Sequence, residues 1–594
     1  MDENTYVEYI NNLLANNRVV IFSKTWCPYC YKAKDLFKDL LVPYHEVVLD
    51  TMGEKGCKIQ EALESMTQQK TVPNIFINSN HIGGYTNLYQ AQQTGRLCDI
   101  FAGVAGNYNF DLLILGGGSG GLAAAQEAAA LGKKVALCDF VKPTPLGTTW
   151  DIGGTCVNVG CVPKKLMHRA GLISHDMKDA PFFGWNTTAS GHKWEILVEN
   201  VQNHIKSINW NYKKDMKKQG ISYYNGFAKF VDKHTIVVET EKNQEKVTAE
   251  TIIVATGGRP NYDDIPGAVD NAITSDDLFS LPKKPKNTLV IGGGYIALES
   301  ACFLQELGNP CTVMYRSILL RGFDQQMAGK IEEHMKESGV KFVQRCVVLK
   351  ISRDGGGEGG QIRVEGKYED GTPYSGSFST VLLAIGRAPN TSGIGLEAVG
   401  VKVHEGTGKI MVDDYDRTNV PNIYAVGDVT FGRPELTPTA IQAGKLLVRR
   451  LYTFSVIHPT YRCIPTTVFT TLEYGCVGDS EERAVETYGE SNIEVFHSSF
   501  SPLESSLAPR FDWRCYAKIV CLKEEEKMKV IGLHILGPNA GEVTQGFALA
   551  VKLGAYKEDF DLLFAIHPTN AQIFTKFQVT KSSGEDADLH RCCS

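Results

Sequence analysis

The 594-residue chain has no apolar run near the roughly 18 residues a membrane-spanning helix requires, so no membrane partner is expected. It has no basic excess either. Sixty-one Lys and Arg face 67 Asp and Glu, a formal net charge of −6, whereas a nucleic-acid binder would show a basic face. The opening MDENTYVEYI lacks the basic and apolar regions of a secretory signal, so the expected location is cytoplasmic. No second Cys/His pair stands at zinc-finger spacing near the first Cys-x-x-Cys, so no metal is expected. What remains is ordinary: 43% hydrophobic and 22% charged residues, a globular composition. The length implies about four domains.

One residue type is abundant. Sixteen cysteines in a compartment that keeps thiols reduced are not a disulfide framework. Ten stand alone: Cys57, Cys98, Cys138, Cys302, Cys311, Cys346, Cys463, Cys476, Cys515 and Cys521. Most of these read as small buried hydrophobes. The other six form three close pairs, Cys27/Cys30, Cys156/Cys161 and Cys592/Cys593.

Around the first pair, NNRVVIFSKTWCPYCY predicts a buried strand at Val19–Phe22. The helical pattern KAKDLFKDLL follows. Cys27 then sits at a helix N-terminus, where the dipole favours a thiolate, with Lys24 adding positive charge. Further strands are expected at Tyr44–Leu49 and Asn74–Ile77, with a hairpin return at Gly83-Gly84. Strands and helices alternating around Cys-x-x-Cys suggest a thioredoxin-like fold. Trp26-Cys-Pro-Tyr-Cys30, Lys70-Thr71-Val72-Pro73 and Ile82-Gly83-Gly84 resemble a glutaredoxin over about residues 1–106. The resemblance implies Cys27 as nucleophile, Cys30 as resolving thiol and Pro73 as a cis-proline. It implies glutathione held by Lys24, Lys70, Thr71, the Val72 backbone and Gly84. Asn87 stands where the family often has Asp.

FDLLILGGGSGGLAAAQEAAALGKKVALCDF carries strand, glycine turn, helix and second strand in order. Its Gly116-x-Gly118-x-x-Gly121 suits a pyrophosphate at a helix N-terminus, and Asp139 a ribose hydroxyl. A second unit opens at strand Thr288–Ile291 and Gly292-x-Gly294-x-x-Ala297, and ends in Tyr315-Arg316. An arginine there suits a 2′-phosphate, and Arg321 is near enough to help. The competing reading is two solvated surface arginines. Two nucleotide folds suggest two cofactors passing electrons.

The second thiol pair follows the first nucleotide fold in Gly154-Thr-Cys156-Val-Asn-Val-Gly-Cys161-Val-Pro-Lys164. Its Cys-x4-Cys spacing can be bridged within one helical turn. Together with Ala255-Thr256-Gly257-Gly258, Ala384-Ile385-Gly386-Arg387 and Tyr424-Ala-Val-Gly427-Asp428, it resembles the pyridine nucleotide–disulfide oxidoreductases. The resemblance covers about residues 107–594. It implies FAD on Gly116, Gly118, Ser119, Gly120, Gly121, Asp139, Thr155, Lys164, Thr256, Gly257 and Asp428. NADPH falls to Gly292, Gly294, Tyr295, Ile296, Glu299, Arg316, Arg321 and Gly386. Cys156 would be the interchange thiol and Cys161 the flavin-facing one. Lys164 would pair with Glu299, and Tyr295 would cover the nicotinamide pocket.

The last part carries the strand patterns TTVFTTLEYGCVG, YAKIVCL and MKVIGLHILG, and ends its core with Ala565-Ile-His567-Pro-Thr569. The family implies a dimerisation domain here, with His567 as acid/base beside the partner subunit's Cys156. Relatives place a glutamate five residues after the histidine; this chain has Gln572. The amide accepts a neutral hydrogen bond but brings no charge to the imidazolium.

The polar run TKSSGEDADLH then leads to Cys592-Cys593, the anatomy of the large thioredoxin reductases. Adjacent Cα atoms stand about 3.8 Å apart, below the roughly 4.4 Å of relaxed disulfides. A bond between these thiols would be strained and easily reduced, which suits a mobile relay. Whether Cys593 stands in for selenocysteine is left open. The whole resembles the thioredoxin glutathione reductases: an α/β chain with a thioredoxin-like (glutaredoxin) domain, two Rossmann-like domains and an α+β dimerisation domain. The expected boundaries are 1–106 glutaredoxin, 107–262 with 389–460 for FAD, and 263–388 for NADPH. Dimerisation takes 461–580, and 581–594 is a mobile redox tail. The expected activity is NADPH-dependent reduction of thioredoxin and glutathione disulfide by a homodimer. Two readings compete: a reductase whose N-terminal domain is accessory, and a redox-regulated binding module using the flavin fold as a sensor.

Overall fold

β-branched runs set the strands. In the computed structural model Val19–Ser23 is buried along its whole length, as a central strand should be. The structure describes residues 3–40, 42–93, 97, 100–101, 108–186, 191–240, 243–354, 360–453, 455–508, 515–587 and 589–591; for 3–4 and 589–591 this extends to the backbone alone. Cys592, Cys593, Cys98 and the expected linker at 102–106 lie outside these residues.

The chain divides into two compact units. The first holds residues 1–140, 212–257 and 389–459. It begins with a four-stranded sheet in the order His45–Val48, Val19–Ser23, Asn74–Ile77, Asn80–Gly83. The first two strands pair in parallel and the others antiparallel. The helix Pro28–Asp39 follows the central strand, with Cys27 as its N-cap and proline in its first turn, where the missing N–H costs nothing. The same unit holds a parallel sheet of Ser222–Asn225, Val135–Asp139, Phe110–Leu115 and the C-terminal half of Gln244–Val254, with Ile423–Ala425 beside it. The N-terminal half of Gln244–Val254 pairs antiparallel with Thr235–Glu239. Its burial changes accordingly, from exposed at Gln244–Lys246 to buried at Ile252–Val254.

The second unit holds residues 141–211, 258–388 and 460–594. Its parallel sheet runs Ile273–Thr274, Thr380–Leu383, Thr288–Ile291, Cys311–Tyr315, Lys341–Gln344. A three-stranded antiparallel sheet covers Cys346–Phe378. The last sheet is ordered Thr466–Val468, Glu473–Gly478, Lys527–Gly537, Cys515–Glu524, Ile493–Ser501, Leu589–Arg591. All its pairs are antiparallel except the last, which is parallel.

Residues 141–211 were expected with the first nucleotide domain, yet they group with the second. Helix Cys161–Asp179 explains why, because it packs on helix Tyr295–Glu306. Gly171 on the first approaches so closely that a Cβ there would lie 3.2 Å from the Glu306 side chain. Among the described residues, no helix is long and apolar enough to cross a membrane.

Candidate active site

Cys27 and Cys30 sit at the start of their helix, the first almost buried and the second fully so. The Cys27 Sγ accepts a hydrogen bond from the Cys30 N–H at 3.3 Å and donates to the Val72 carbonyl at 3.4 Å. Burial, then the hydrogen bond to Cys27, pushes the Cys30 thiol up to about 12. The Val72–Pro73 peptide is cis. Around the thiols stand exposed Trp26, with the Lys24 Nζ 5.7 Å from its ring centre, and exposed Lys70 and Thr71. The Gln69 amide donates to the Thr71 and Pro73 carbonyls, at 3.0 and 2.9 Å. Asn87 accepts from the Gly84 N–H at 3.3 Å.

Each nucleotide loop is built the same way. Gly116 has φ 112°, and a Cβ there would meet the Ala255 carbonyl oxygen at 2.2 Å. Gly292 has φ 143° and would meet that of Ala384 at 2.2 Å. Only glycine fits either turn. Gly118 and Gly294 then cap helices Ser119–Ala130 and Tyr295–Glu306 without any side-chain cap bond. The helix-opening N–H groups are thus left for a ligand's phosphates. The packed small residues Gly120 and Gly121 lie within the first helix. Asp139 ends its strand and accepts from the Gly117 N–H at 2.9 Å.

Gly257, with φ 62°, accepts from the Asn390 N–H at 2.8 Å, and the Thr256 hydroxyl donates to the Asn390 carbonyl at 2.8 Å. Asp428 stands in the turn that Thr430 closes on Gly427. In the second unit Tyr295 is exposed and Ile296 half-buried at the helix start. Arg316 and Arg321 are exposed just past strand Cys311–Tyr315, the latter donating to the Ser317 hydroxyl at 2.9 Å. Gly386 has φ 123° and accepts from the Asn261 N–H at 3.0 Å.

The central thiols were expected within one helical turn. Instead Cys156 lies in the short helix Gly154–Val159, and Cys161 begins the next, Cys161–Asp179. Gly160 breaks the two at φ −144°, ψ −119°. A Cβ at Gly160 would meet the Thr155 carbonyl oxygen at 2.8 Å, so this break accepts glycine and not a larger residue. One turn further, the Lys164 Nζ bonds the Glu299 carboxylate at 2.9 Å, with Glu299 only 3% exposed. The Phe469 N–H donates to the same carboxylate at 2.8 Å. At the far end of the helix pair His175 meets Glu306 at 2.5 Å.

Sequence reasoning passed over several supporting side chains. Arg387 donates to the Thr155 hydroxyl at 3.2 Å and to the Gly258 carbonyl at 2.5 Å. Asn158 donates to the Asp151 and Gly154 carbonyls, and Asn209 to Asn158, bracing the segment before Cys161. Only Arg387 had a local signal, its place directly after Gly386. His567 is exposed, and its Nδ1 stands 2.9 Å from the Oε1 of buried Gln572. With the amide oxygen as acceptor, that bond puts the ring proton on Nδ1 and makes Nε2 the acceptor nitrogen of the neutral ring.

Most of the isolated thiols among the described residues are buried: Cys138, Cys302, Cys311, Cys346, Cys515 and Cys521, while Cys463 and Cys476 are half-buried and Cys57 is exposed. Burial pushes Cys138, Cys302 and Cys521 up to about 12, which keeps them inert.

Residues 110–444 match the pyridine nucleotide-disulphide oxidoreductase family. The chain belongs to that family. Its dimerisation domain matches residues 464–577, and residues 19–82 match glutaredoxin. The chain is also 51% identical over 497 residues to "Thioredoxin reductase SEP1" of Emiliania huxleyi, covering 82% of this chain and 99% of that protein. As a member of this oxidoreductase family it is a flavoprotein with FAD and NADPH as cofactors. The uncapped glycine loops fit the two dinucleotides, since each offers helix N–H groups to a pyrophosphate and no side chain competes for them.

Proposed function

We propose that the protein is an NADPH-dependent disulfide reductase acting on thioredoxin and on glutathione disulfide, working as a homodimer. FAD and NADPH supply a two-electron reduction at the Cys156–Cys161 disulfide. FAD would be held by Gly116–Gly121, Asp139, Thr155, Lys164, Thr256, Gly257 and Asp428. NADPH would be held by Gly292, Gly294, Tyr295, Ile296, Glu299 and Gly386, with Arg316 and Arg321 on its 2′-phosphate.

The rest is thiol chemistry of the chain itself. Cys156, freed as a thiolate, attacks the oxidised Cys592–Cys593 pair of the partner subunit. The mixed disulfide is resolved by Cys161, so one disulfide forms as another is reduced. The tail dithiol then reduces thioredoxin or the Cys27–Cys30 disulfide. The Nε2 of the partner's His567 takes and returns the proton. In the glutaredoxin domain Cys27 attacks the glutathione mixed disulfide, and Cys30 resolves it.

The observation that carries this reading is the Lys164–Glu299 pair. It joins the helix begun by Cys161 to the helix opened by the second nucleotide loop, so the thiol pair and the reductant's loop are braced together. The identity with a thioredoxin reductase and the glutaredoxin match favour these two substrate classes.

The deciding comparison is the full chain against a version ending before Cys592. With NADPH, both thioredoxin and glutathione disulfide reduction should collapse in the shortened chain, while its flavin still bleaches. Glutathione disulfide reduction that survives truncation would remove the tail from that branch.

A further inference from the structure

Strand Ile493–Ser501 is the last antiparallel member of its sheet, and its outer edge is held by the chain's own end. Two contacts lie along it. First, the His497 N–H donates to the Val579 carbonyl at 3.1 Å, and Thr580 bridges antiparallel to Phe496. Next come the short helix Lys581–Ser583 and Gly584 at φ 69°. The chain then returns along the same edge, with Leu589, His590 and Arg591 paired in parallel with Ser499, Phe500 and Ser501.

The root of this loop is fastened by side chains. Lys581 bonds the Glu481 carboxylate, and the Ser582 hydroxyl donates to Glu494 at 2.7 Å. Glu481 is itself anchored. It accepts from the Lys518 Nζ at 2.7 Å, its own N–H donates to Asp324 at 3.1 Å, and Lys518 and Asp324 are fully buried and 2.8 Å apart. A buried, paired charge cluster is a rigid mooring. The three-residue parallel pairing is a much weaker hold.

Reach follows from these two holds. From Lys581 to Cys592 there are eleven residues, about 36–40 Å of fully extended chain. From Arg591 to Cys592 there is one peptide, about 3.8 Å. A carrier that must meet two different disulfides in turn cannot do so from one fixed point. We propose that the edge of Ile493–Ser501 is a parking site for Leu589–Arg591, that Lys581 and Glu481 moor the tail's root, and that release from the edge gates each electron transfer. The proposal rests on the relay reading above. It makes Lys581 and Glu481 positioning residues, since they act through the tail.

The test uses the full-length holoenzyme, read by amide hydrogen exchange and by NADPH-dependent thioredoxin reduction. In a parallel ladder alternate residues supply the inter-strand bonds, so L589P/R591P and H590P together cover both possibilities. The wild type should protect amides of 589–591 about tenfold or more over an unstructured peptide. At least one proline variant should lose that protection and turn over thioredoxin about twofold faster or more, as expected when a competing state is removed. K581M leaves the Lys518–Asp324 pair intact, and it should loosen the His497 amide together with 589–591. Unprotected 589–591 in the wild type, or proline variants with unchanged turnover, would overturn the gate. Failure of the relay reading looks different: the wild type and a chain ending before Cys592 would then reduce thioredoxin equally well.

Discussion

At the scale of single residues, the first thiol pair is divided by burial. Cys30 is pushed up to about 12, first by burial and then by its hydrogen bond to Cys27. It therefore stays a protonated thiol across the working pH range. Cys27 caps the helix and accepts the Cys30 N–H, and in the proposed mechanism it is the attacking thiol. C27S should abolish cleavage of a glutathione mixed disulfide, and C30S should keep it when free glutathione is supplied as the thiol that resolves the Cys27–glutathione disulfide. C30S should instead lose reduction of dithiol substrates that need a second thiol. Release of glutathione from a glutathionylated peptide checks this; a C27S enzyme that still releases it would reverse the assignment.

These two residues were legible because helix position and Cys-x-x-Cys spacing are local. Gln572 was legible too, five residues from His567 on one short stretch, and the Nδ1 and Oε1 atoms stand 2.9 Å apart. Arg387 was legible only as the neighbour of Gly386, not by its partner, and Asn209 was not legible at all. Arg387 reaches 232 positions back to Thr155, and Asn209 reaches 51 back to Asn158. A polar side chain that pairs over such a distance leaves no periodic trace in its own neighbourhood.

At the scale of elements, strand runs and glycine turns were readable from their period. The strand expected at 288–291 occupies those residues, and the strand opening FDLLILGGG is Phe110–Leu115. What period does not encode is the break at Gly160 or the charge cluster under the last sheet. That cluster makes a prediction with a definite sign. Burial raises the Asp324 carboxyl, but His534 and Lys518 outweigh it and hold it below its usual 3.8. Glu481 is likewise held below 4.5, against burial, by Lys518 and then Lys581.

Folded values below the unfolded ones add stability that is present above about pH 4.5 and is lost as pH falls through the folded values. Wild-type melting temperature should therefore drop with acid below that point. K518M leaves a buried carboxylate without its cation, at a cost of about 3–5 kcal/mol near neutrality. His534 alone is then the main group opposing burial at Asp324, so its pKa moves up from the wild-type position. Between pH 6 and pH 4 the variant should lose less stability to acid than the wild type does. Parallel melting curves for the two proteins would show that Lys518 does not hold these carboxylates.

At the scale of the whole molecule, the dimerisation domain leaves an apolar strip in the open. Leu553, Leu562, Phe564 and Ile566 are 77%, 80%, 98% and 77% exposed, and such a strip marks an interface. His567 follows it directly. If that face meets its copy about a two-fold axis, each active site draws on both chains. A mixture of two dead variants can test this without disturbing the interface. C156S carries an intact tail and a dead core pair; C592S/C593S carries the reverse. Each homodimer is inactive whichever way electrons run.

In a heterodimer the cis route joins a dead core to a live tail, or a live core to a dead tail, and neither conducts. The trans route leaves one working path, from the live core of one chain to the live tail of the other. After unfolding and random reassociation, half the dimers are mixed and each keeps one path of two, so thioredoxin reduction should recover to about a quarter of wild type. Recovery must track heterodimer formation, because mixing without exchange of subunits supplies no such path. No recovery after proven exchange would mean that each tail serves its own core, and the two-fold assembly would then be needed for His567 alone.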